Sequence, residues 1–332
     1  MTHDNHYPSR KAQGAKAQAH EYKLDVLVSV VIPLFNHEKY ITETLDSIFS
    51  QDHSNIEIIL VDDVSTDNSL QLAKDKLASC EVAYTVIENT YNVGVCKTIN
   101  RGIHAAQGKY TCLIASDDIL AMGRIKRHVK ILEECIDPNI VACHGPLQVI
   151  SKDGKFLGLK GNRKKNKKYD LASIVTKKTN PCLQGCTFIT KKLKDFPFDE
   201  NLFFEDWDFL IRLFLEGYNV LYDEVVSAHY RVVPGGVSKQ IDKMIEARHD
   251  IRNKHFEAIA NKDLKLASDF DFTISFWNFI GISHTGKIRA WTIAFVRLLV
   301  LNPKAVIYRA RDVAWSLKNL IRLKSKALIS DI

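Results

Sequence analysis

Between residues 26 and 144 the chain alternates between two kinds of segment. Unbroken apolar runs read as strands: "VLVSVVIP" (Val26 to Pro33), "IEIILV" (56–61), "VAYTVI" (82–87), "KYTCLIA" (109–115) and "NIVACH" (139–144). Between them apolar residues recur at helical spacing: Ile41, Leu45, Ile48 and Phe49; Leu70, Ala73 and Leu77; Ile99 and Ile103; Ile125, Val129, Leu132 and Ile136. Asp67 reads as the cap of the second helix. Asn92-Val93-Gly94 opens the third, which is predicted to end near Gly108. Strand–helix alternation with strands apolar on both faces predicts an α/β fold: a mostly parallel central sheet with helices on both sides.

In such sheets ligands bind beyond the carboxyl ends of the strands. Two acidic pairs fall there, Asp62-Asp63 in "VDDVSTDNS" and Asp117-Asp118 in "CLIASDDIL", together with Phe35. Adjacent carboxylates repel one another, so placing two pairs at strand ends has a cost that a site explains. Such carboxylates can hold a divalent cation, accept hydrogen bonds from a base or ribose, or act as a general base. A helix cap beside a turn acid is the plain alternative for either pair alone. Glu205-Asp206, ahead of a further helical pattern, shifts the balance toward a site.

After about residue 150 the pattern changes. "KGNRKKNKK" (160–168) is a basic loop without an apolar anchor. It reads as solvated, with an anionic acceptor as the sharper alternative. "FFEDWDFLIRLFLEG" continues as an amphipathic helix, "GYNVLYDEVV" as a strand and "RVVPGGVSK" as a Pro/Gly loop; from Lys239 the chain reads as helical. Residues 1–24 lack periodicity and read as a mobile tail.

The net charge of +7 suits an anionic partner without choosing among nucleic acid, lipid and phosphorylated substrate. No nucleic-acid module is recognisable, and the acids cluster at the ligand edge. Seven cysteines without a CxxC pair suggest reduced, cytosolic thiols; Cys182-x3-Cys186 lacks a second half and reads as buried or loop thiols. Neither a signal-peptide pattern nor an eighteen-residue apolar run is present, so no membrane span is expected.

The ordered motifs resemble glycosyltransferase family 2, inverting enzymes of GT-A fold. The resemblance runs over about residues 27–235. It rests on "VSVVIPLFNHEKYITETLDSIFSQDHSNIEIILVDDVSTDNS", on "NVGVCKTINRGIHAAQGKYTCLIASDD" and on "FFEDWDFLIRL". It implies a catalytic domain over 25–238, with a nucleotide-binding half (25–120) and an acceptor half (121–238), followed by a basic helical region (239–332). Pro33 and Phe35 are implied to line the nucleotide pocket. Asp63, supported by Asp62, is implied to hydrogen-bond the base. Asn36, Asn92, Gly94 and Asn100 lie in the same blocks and join the implied donor-binding set. Asp118, with Asp117, is implied to bind Mn²⁺ or Mg²⁺ on the diphosphate, and His229 is a further ligand candidate. Asp206, with Glu205 adjacent, is implied to be the base. Trp207 reads equally as acceptor wall or as core. Arg231 and the Gly235-Gly236 turn are placed as a closure over the diphosphate, an ordinary turn being nearly as good a reading.

The chain departs from the family pattern at Ala115, where the commonest form has an acid, and at Ile99, where it has arginine. Lys97 or Arg101 is the substitute cation, although Lys97 also reads as a solvated helix position. The QxxRW motif of processive members is absent, so one sugar is expected per turnover. The implied function is transfer from a nucleotide-diphospho-sugar, uridine-linked, to a hydroxyl of a glycan or lipid-linked acceptor in surface polysaccharide or lipopolysaccharide synthesis. A sugar nucleotidyltransferase is the first alternative, but its glycine-rich first loop is replaced by "IPLFNHEKY". A non-catalytic scaffold of the same fold at the membrane is the second.

Between Lys287 and Lys326 ten cations stand against Asp312 alone, interleaved with Trp291, Phe295, Leu298, Trp315, Leu320 and Leu323. Such helices can lie on an anionic membrane surface. The expected location is therefore cytoplasmic, peripheral on the inner face of the plasma membrane.

Overall fold

The computed structural model describes residues 25–161, 168–176, 181–202, 205–233, 240–283 and 288–303, with Val306, Val313, Ala314, Ser316 and Leu317 beyond. Four features read from the sequence lie outside these residues: the tail 1–24, most of the basic loop, the Gly235-Gly236 turn, and the C-terminal cations Lys287 and Lys304 to Lys326.

The alternation holds. In chain order come β1 (Val28–Leu34), α1 (Ile41–Phe49), β2 (Ile56–Asp62), α2 (Ser69–Ala78), β3 (Ala83–Glu88), α3 (Val95–Ala105) and β4 (Tyr110–Leu113). They are followed by β5 (Ile119–Leu120), α4 (Arg124–Glu133), β6 (Ile140–His144), β7 (Leu147–Ser151) and β8 (Phe156–Lys160). Next are β9 (Lys168–Tyr169), α5 (Leu171–Val175), a 3-10 turn (Leu183–Gly185), β10 (Cys186–Ile189) and α6 (Thr190–Asp195). The remainder is α7 (Glu205–Leu215), β11 (Asn219–Tyr222), β12 (Ala228–Val232), α8 (Ile241–Lys262), α9 (Leu264–Ser283) and α10 (Ile288–Leu301).

The main sheet has the order β3-β2-β1-β4-β10-β6-β11-β9. Its first four strands are parallel, as are β6 and β11; β10 runs antiparallel between β4 and β6. Side chains alternate across it. Val31, Ile59 and Val61 pack with α3, α7, α8 and α9, while Val30, Ile32, Leu34, Ile58 and Leu60 pack with α1, α2 and α4. That two-sided burial explains why these strands are apolar throughout. On the first face α3 approaches β1 so closely that a Cβ on Gly102 would lie 2.4 Å from Val31 Cγ1.

Several boundaries differ from expectation. The third helix ends at Ala105, because Ala106 turns extended before Gly108 is reached. Ile136 lies beyond α4 and is 98% exposed, so it does not extend that helix. A second sheet, β5-β12-β7-β8, was not foreseen. Its β7–β8 hairpin turns at Asp153-Gly154, where Gly154 takes a φ of 80°.

The C-terminal helices share the main core. Trp207 of α7 packs edge-on to Phe270 of α9, and Asp208 accepts hydrogen bonds from His255 (2.7 Å) of α8 and Arg212 (2.9 Å). A separate cluster joins Phe272, Phe276 and Phe279 to Trp291 and Leu298 of α10. Among the described residues no helix is long and apolar enough to cross a membrane. All seven cysteines are free thiols.

Candidate active site

The first acidic pair closes β2. Asp63 Oδ1 accepts from the Asn89 amide and the Val93 N–H, both at 2.8 Å, and its Oδ2 accepts from the Gly94 N–H at 2.9 Å. Its carbonyl accepts from the Asn92 amide at 3.0 Å. Gly94 has a φ of 85°, which suits glycine and lets its N–H turn onto the carboxylate. Asp63 therefore fastens the loop that starts α3, and most of its hydrogen-bonding capacity is occupied. Asp62 differs. Its Oδ2 accepts from the Ser65 N–H at 3.1 Å, whereas its Oδ1 is buried without a hydrogen-bond partner among the described residues. Within this pair the open acceptor is on Asp62, not on the residue expected to read the base.

Backbone strain marks the same edge. Val64 has a φ of 64°, unfavourable for a β-branched side chain, and Asn36 has a φ of 55°. Asn36 accepts from the Thr66 N–H at 2.7 Å, and so ties the end of β1 to the loop after β2. Phe35 is 45% exposed beside them, and Pro33 is half-buried. Asp67 accepts from the Ser69 N–H at 2.9 Å, so it satisfies the start of α2, although Asn68 occupies the cap position.

The second pair follows β4. Asp118 is 1% exposed. Its Oδ1 accepts from the Arg231 N–H at 2.8 Å, and its Oδ2 is buried with no hydrogen-bond partner among the described residues. Thr44 of α1 donates to the Asp118 carbonyl at 2.7 Å, which fixes the turn. His37 Nε2 lies 3.9 Å from Asp117 Oδ2, and its Nδ1 is 2.8 Å from Ser116 Oγ. Burial and the adjacent Asp117 charge push the Asp118 carboxyl well above the usual range, against the Arg231 hydrogen bond; burial also raises Asp117.

Arg231 of β12 organises this corner. Besides its N–H on Asp118, its Nε donates to the Asp117 carbonyl (2.8 Å) and its guanidinium to the Lys152 carbonyl (3.1 Å) and the Glu43 carboxylate (2.6 Å). It also stacks 4.8 Å from the centre of the Tyr40 ring. Arg231 is thus a buried strut under the acidic turn, and not part of a loop closing over it. His229, on the same face of β12, neighbours Glu43 and Arg231; burial lowers its imidazole while Glu43 opposes. It does not join Asp117 and Asp118: among the described residues no three His, Cys, Asp or Glu side chains come together as a metal site. The turn still fits a hard divalent ion, which binds through one or two carboxylates and completes its shell with water and phosphate oxygen. Asp118 Oδ2, buried without a hydrogen-bond partner among the described residues, is the atom such a shell would use.

Asp206, at the start of α7, faces the same region; the Glu205 side chain lies outside the described residues. Lys160, at the end of β8, lies close enough for its charge to act on both Asp118 and Asp206. Its ammonium stands 4.8 Å from the centre of the Tyr230 ring. Burial works against the charge of Lys160, but Cys182, Tyr230 and Asp206 outweigh it and leave the lysine raised; Asp118 also feels Lys160.

Four residues expected at the site have partners within the protein. Trp207 is fully buried and donates from Nε1 to the Ile174 carbonyl at 3.1 Å, so it is core and not an acceptor wall. Asn100 exchanges hydrogen bonds with the Phe198 backbone in both directions at 2.9 Å, which uses its amide to pin the 198–200 loop. Lys97 lies 3.6 Å from Glu200 on the surface, while Arg101 donates to Asn89, the residue that holds Asp63. Beneath the site, His128 and His144 are fully buried. Burial lowers them to about 4 and about 3; Asp223 opposes this shift at both. His144 Nε2 accepts the Cys182 N–H (3.2 Å), and His128 Nδ1 is 2.9 Å from Thr187 Oγ1.

A parallel first half with strand-end acids, an antiparallel insertion and a helical C-terminal region define a GT-A glycosyltransferase fold. The profile of the family described as glycosyl transferase family 2 matches residues 29–194, and the chain belongs to that family. It is 32% identical over 154 residues to an uncharacterized glycosyltransferase of Rickettsia felis, covering 46% of this chain and 25% of that protein. Over 108 residues it is 37% identical to glycosyltransferase GlyG of Streptococcus pneumoniae, covering 32% and 36%. The chain spans only 20% to 42% of the length of the first curated relatives it matches. Among solved structures, S. aureus TarS 1-349 in complex with UDP-GlcNAc superposes with a TM-score of 0.61 at 22% identity, over 88% of this chain and 89% of that one. The mannosyltransferase PcManGT of Pyrobaculum calidifontis, in complex with GDP-Man and Mn2+, gives 0.59 at 16% identity, over 91% and 86%.

Proposed function

We propose that the protein transfers one sugar from a nucleotide-diphospho-sugar, uridine-linked, to a hydroxyl of a glycan or lipid-linked acceptor, with inversion at the anomeric carbon. One observation carries this reading: the buried, uncompensated Asp118 Oδ2 and the Asp206 carboxylate share Lys160 as a neighbour at the carboxyl edge of the sheet. The UDP-GlcNAc complex of the TarS neighbour supports the uridine reading, and the Mn2+ complex of the mannosyltransferase supports a divalent ion.

Asp118 and Asp117 would hold Mn²⁺ or Mg²⁺, which when bound stabilises negative charge on the departing diphosphate. Phe35 offers a ring to the base, and Asp62 Oδ1 offers an acceptor for a base N–H, with Asp63 holding the loop beside it. Asp206 accepts the proton of the acceptor hydroxyl as its oxygen bonds to the anomeric carbon. The bond from that carbon to phosphate breaks, and its electron pair leaves with the nucleoside diphosphate. Lys160 adds positive charge between the two acids. A positioned base is typically worth ~10²–10⁴-fold in rate.

The C-terminal helices fit a membrane-surface reading. α10 exposes Ile293, Val296 and Val300 at helical spacing, with Arg289 and Arg297 also exposed. A role in surface polysaccharide assembly follows from family likeness alone.

Asp206→Asn tests the assignment. Transfer, and slow hydrolysis of a UDP-sugar, should fall about 10²–10⁴-fold, with UDP affinity by calorimetry within about two-fold of the parent. If the variant instead loses UDP binding and keeps its turnover per bound donor, Asp206 is not the base.

A further inference from the structure

The edge strand β8 is unusually apolar for its position. Phe156, Leu157 and Leu159 are 61%, 59% and 42% exposed. Neighbouring residues of a strand point to opposite faces, so both faces of β8 present apolar side chains. Among the described residues β8 is the outermost strand of its sheet and pairs only with β7. Soluble proteins blunt such edges with charge, proline or cover. Here the cations flank the apolar residues instead of interrupting them. From Lys152 to Lys168 the sequence holds eight lysines and arginines and a single acid, Asp153. Lys152, Lys155 and Lys168 are exposed, whereas the Lys160 ammonium turns onto the Tyr230 ring.

That charge selects the occupant. A second copy pairing edge to edge would crowd the lysines that flank one strand against those that flank the other, and like charges close together destabilise a strand pair. An anionic bilayer accepts both features: apolar side chains at the acyl boundary and lysines among the headgroups. The strand also leads into the site. Lys160 stands over Tyr230, the neighbour of Arg231, whose N–H holds Asp118.

We propose that β8 and its flanking lysines dock the protein on an anionic membrane, so that the site opens beside a lipid-borne hydroxyl acceptor. The acceptor class in this proposal rests on the transferase reading above; the docking surface does not. It adds a contact at the site itself to the one assigned to the C-terminal helices.

Co-sedimentation tests it. The parent and a Phe156→Ser/Leu157→Ser/Leu159→Ser variant are mixed with phosphatidylcholine vesicles, with or without phosphatidylglycerol. The parent should bind the anionic vesicles, more weakly as salt is raised, and the neutral ones poorly. The variant should lose at least about ten-fold in partition, in line with removing three apolar side chains from the lipid boundary, with UDP affinity unchanged. If the triple variant loses UDP affinity through misfolding, Phe156→Ser alone serves, with a loss of at least about three-fold. Unchanged partition of the folded variant overturns the proposal. So does equal binding of the parent to both vesicle types, or a dimer in ultracentrifugation that the variant dissolves without changing vesicle binding. Failure of the parent to bind UDP in the absence of vesicles would sink the transferase reading and leave the vesicle result standing.

Discussion

The two acidic pairs look alike in sequence and differ in physical state. Asp63 is a saturated carboxylate: three N–H donors from the 89–94 loop reach it, and its carbonyl takes a fourth. Asp118 is equally buried but receives one N–H and keeps an oxygen without a hydrogen-bond partner among the described residues. A saturated carboxylate stabilises the fold. An unsaturated one beside a second acid destabilises it and persists where a ligand compensates. Asp63 is a fastener, whereas Asp118, like Asp62 beside Asp63, keeps one oxygen open; the distinction lies in the donors that folding delivers to each carboxylate.

Breaking each pair should separate the two roles. Asp118→Asn is expected to cut transfer about 10²–10³-fold, while thermal unfolding moves up by a few degrees as a buried charge is neutralised. A fall in melting temperature would place Asp118 with the fasteners. Asp63→Ala should do the reverse in kind: a loss of about 2–4 kcal/mol of stability in urea denaturation, from several donors left without an acceptor. A variant as stable as the parent would show that the 89–94 loop holds itself.

The pH response adds a second contrast, from the buried histidines under the site. His128 and His144 have folded values near 4 and 3, below the ordinary 6.5. The unfolded chain therefore binds protons first as pH falls. Their contribution is complete above about 6.5 and is lost from there down to about 4 for His128 and about 3 for His144, at about 1.4 kcal/mol per pH unit for each histidine. His128→Gln should flatten that slope; an unchanged slope would remove His128 from the account. The smallest effect is expected at Val64, whose φ of 64° is strained. Val64→Gly should raise stability by about 1 kcal/mol, the strain relieved exceeding the entropy lost. A loss of stability would mean that the valine side chain packs better than its backbone suggests.

Much of this fold is legible in the sequence. Apolar runs on both faces of β1, β2 and β4 can be read only as buried parallel strands, and the acids at their ends mark the ligand edge. What escapes is set by long-range pairing. The second sheet depends on β12 finding β5 and β7, a meeting of segments about a hundred residues apart, although Asp153-Gly154 signals its hairpin locally. Arg231 is an unremarkable cation until that pairing sets its N–H on Asp118. Asn100 and Trp207 sit within family motifs, and a motif alone does not distinguish a side chain that meets ligand from one that holds a loop or fills the core. Among the described residues His229, on the same face of β12 as Arg231, joins no three-ligand cluster. The same holds within the first pair: donors from the 89–94 loop occupy Asp63, and an oxygen of Asp62 stays open.

In the proposed reaction Asp118 would hold a divalent ion that a nucleotide diphosphate shares. Calorimetric titration of UDP into the parent and into Asp118→Asn, each with and without Mn²⁺, tests it directly. Mn²⁺ should strengthen UDP binding at least about ten-fold in the parent, about 1.4 kcal/mol, and leave the variant unchanged. Equal UDP affinity in the parent with and without the ion would contradict it.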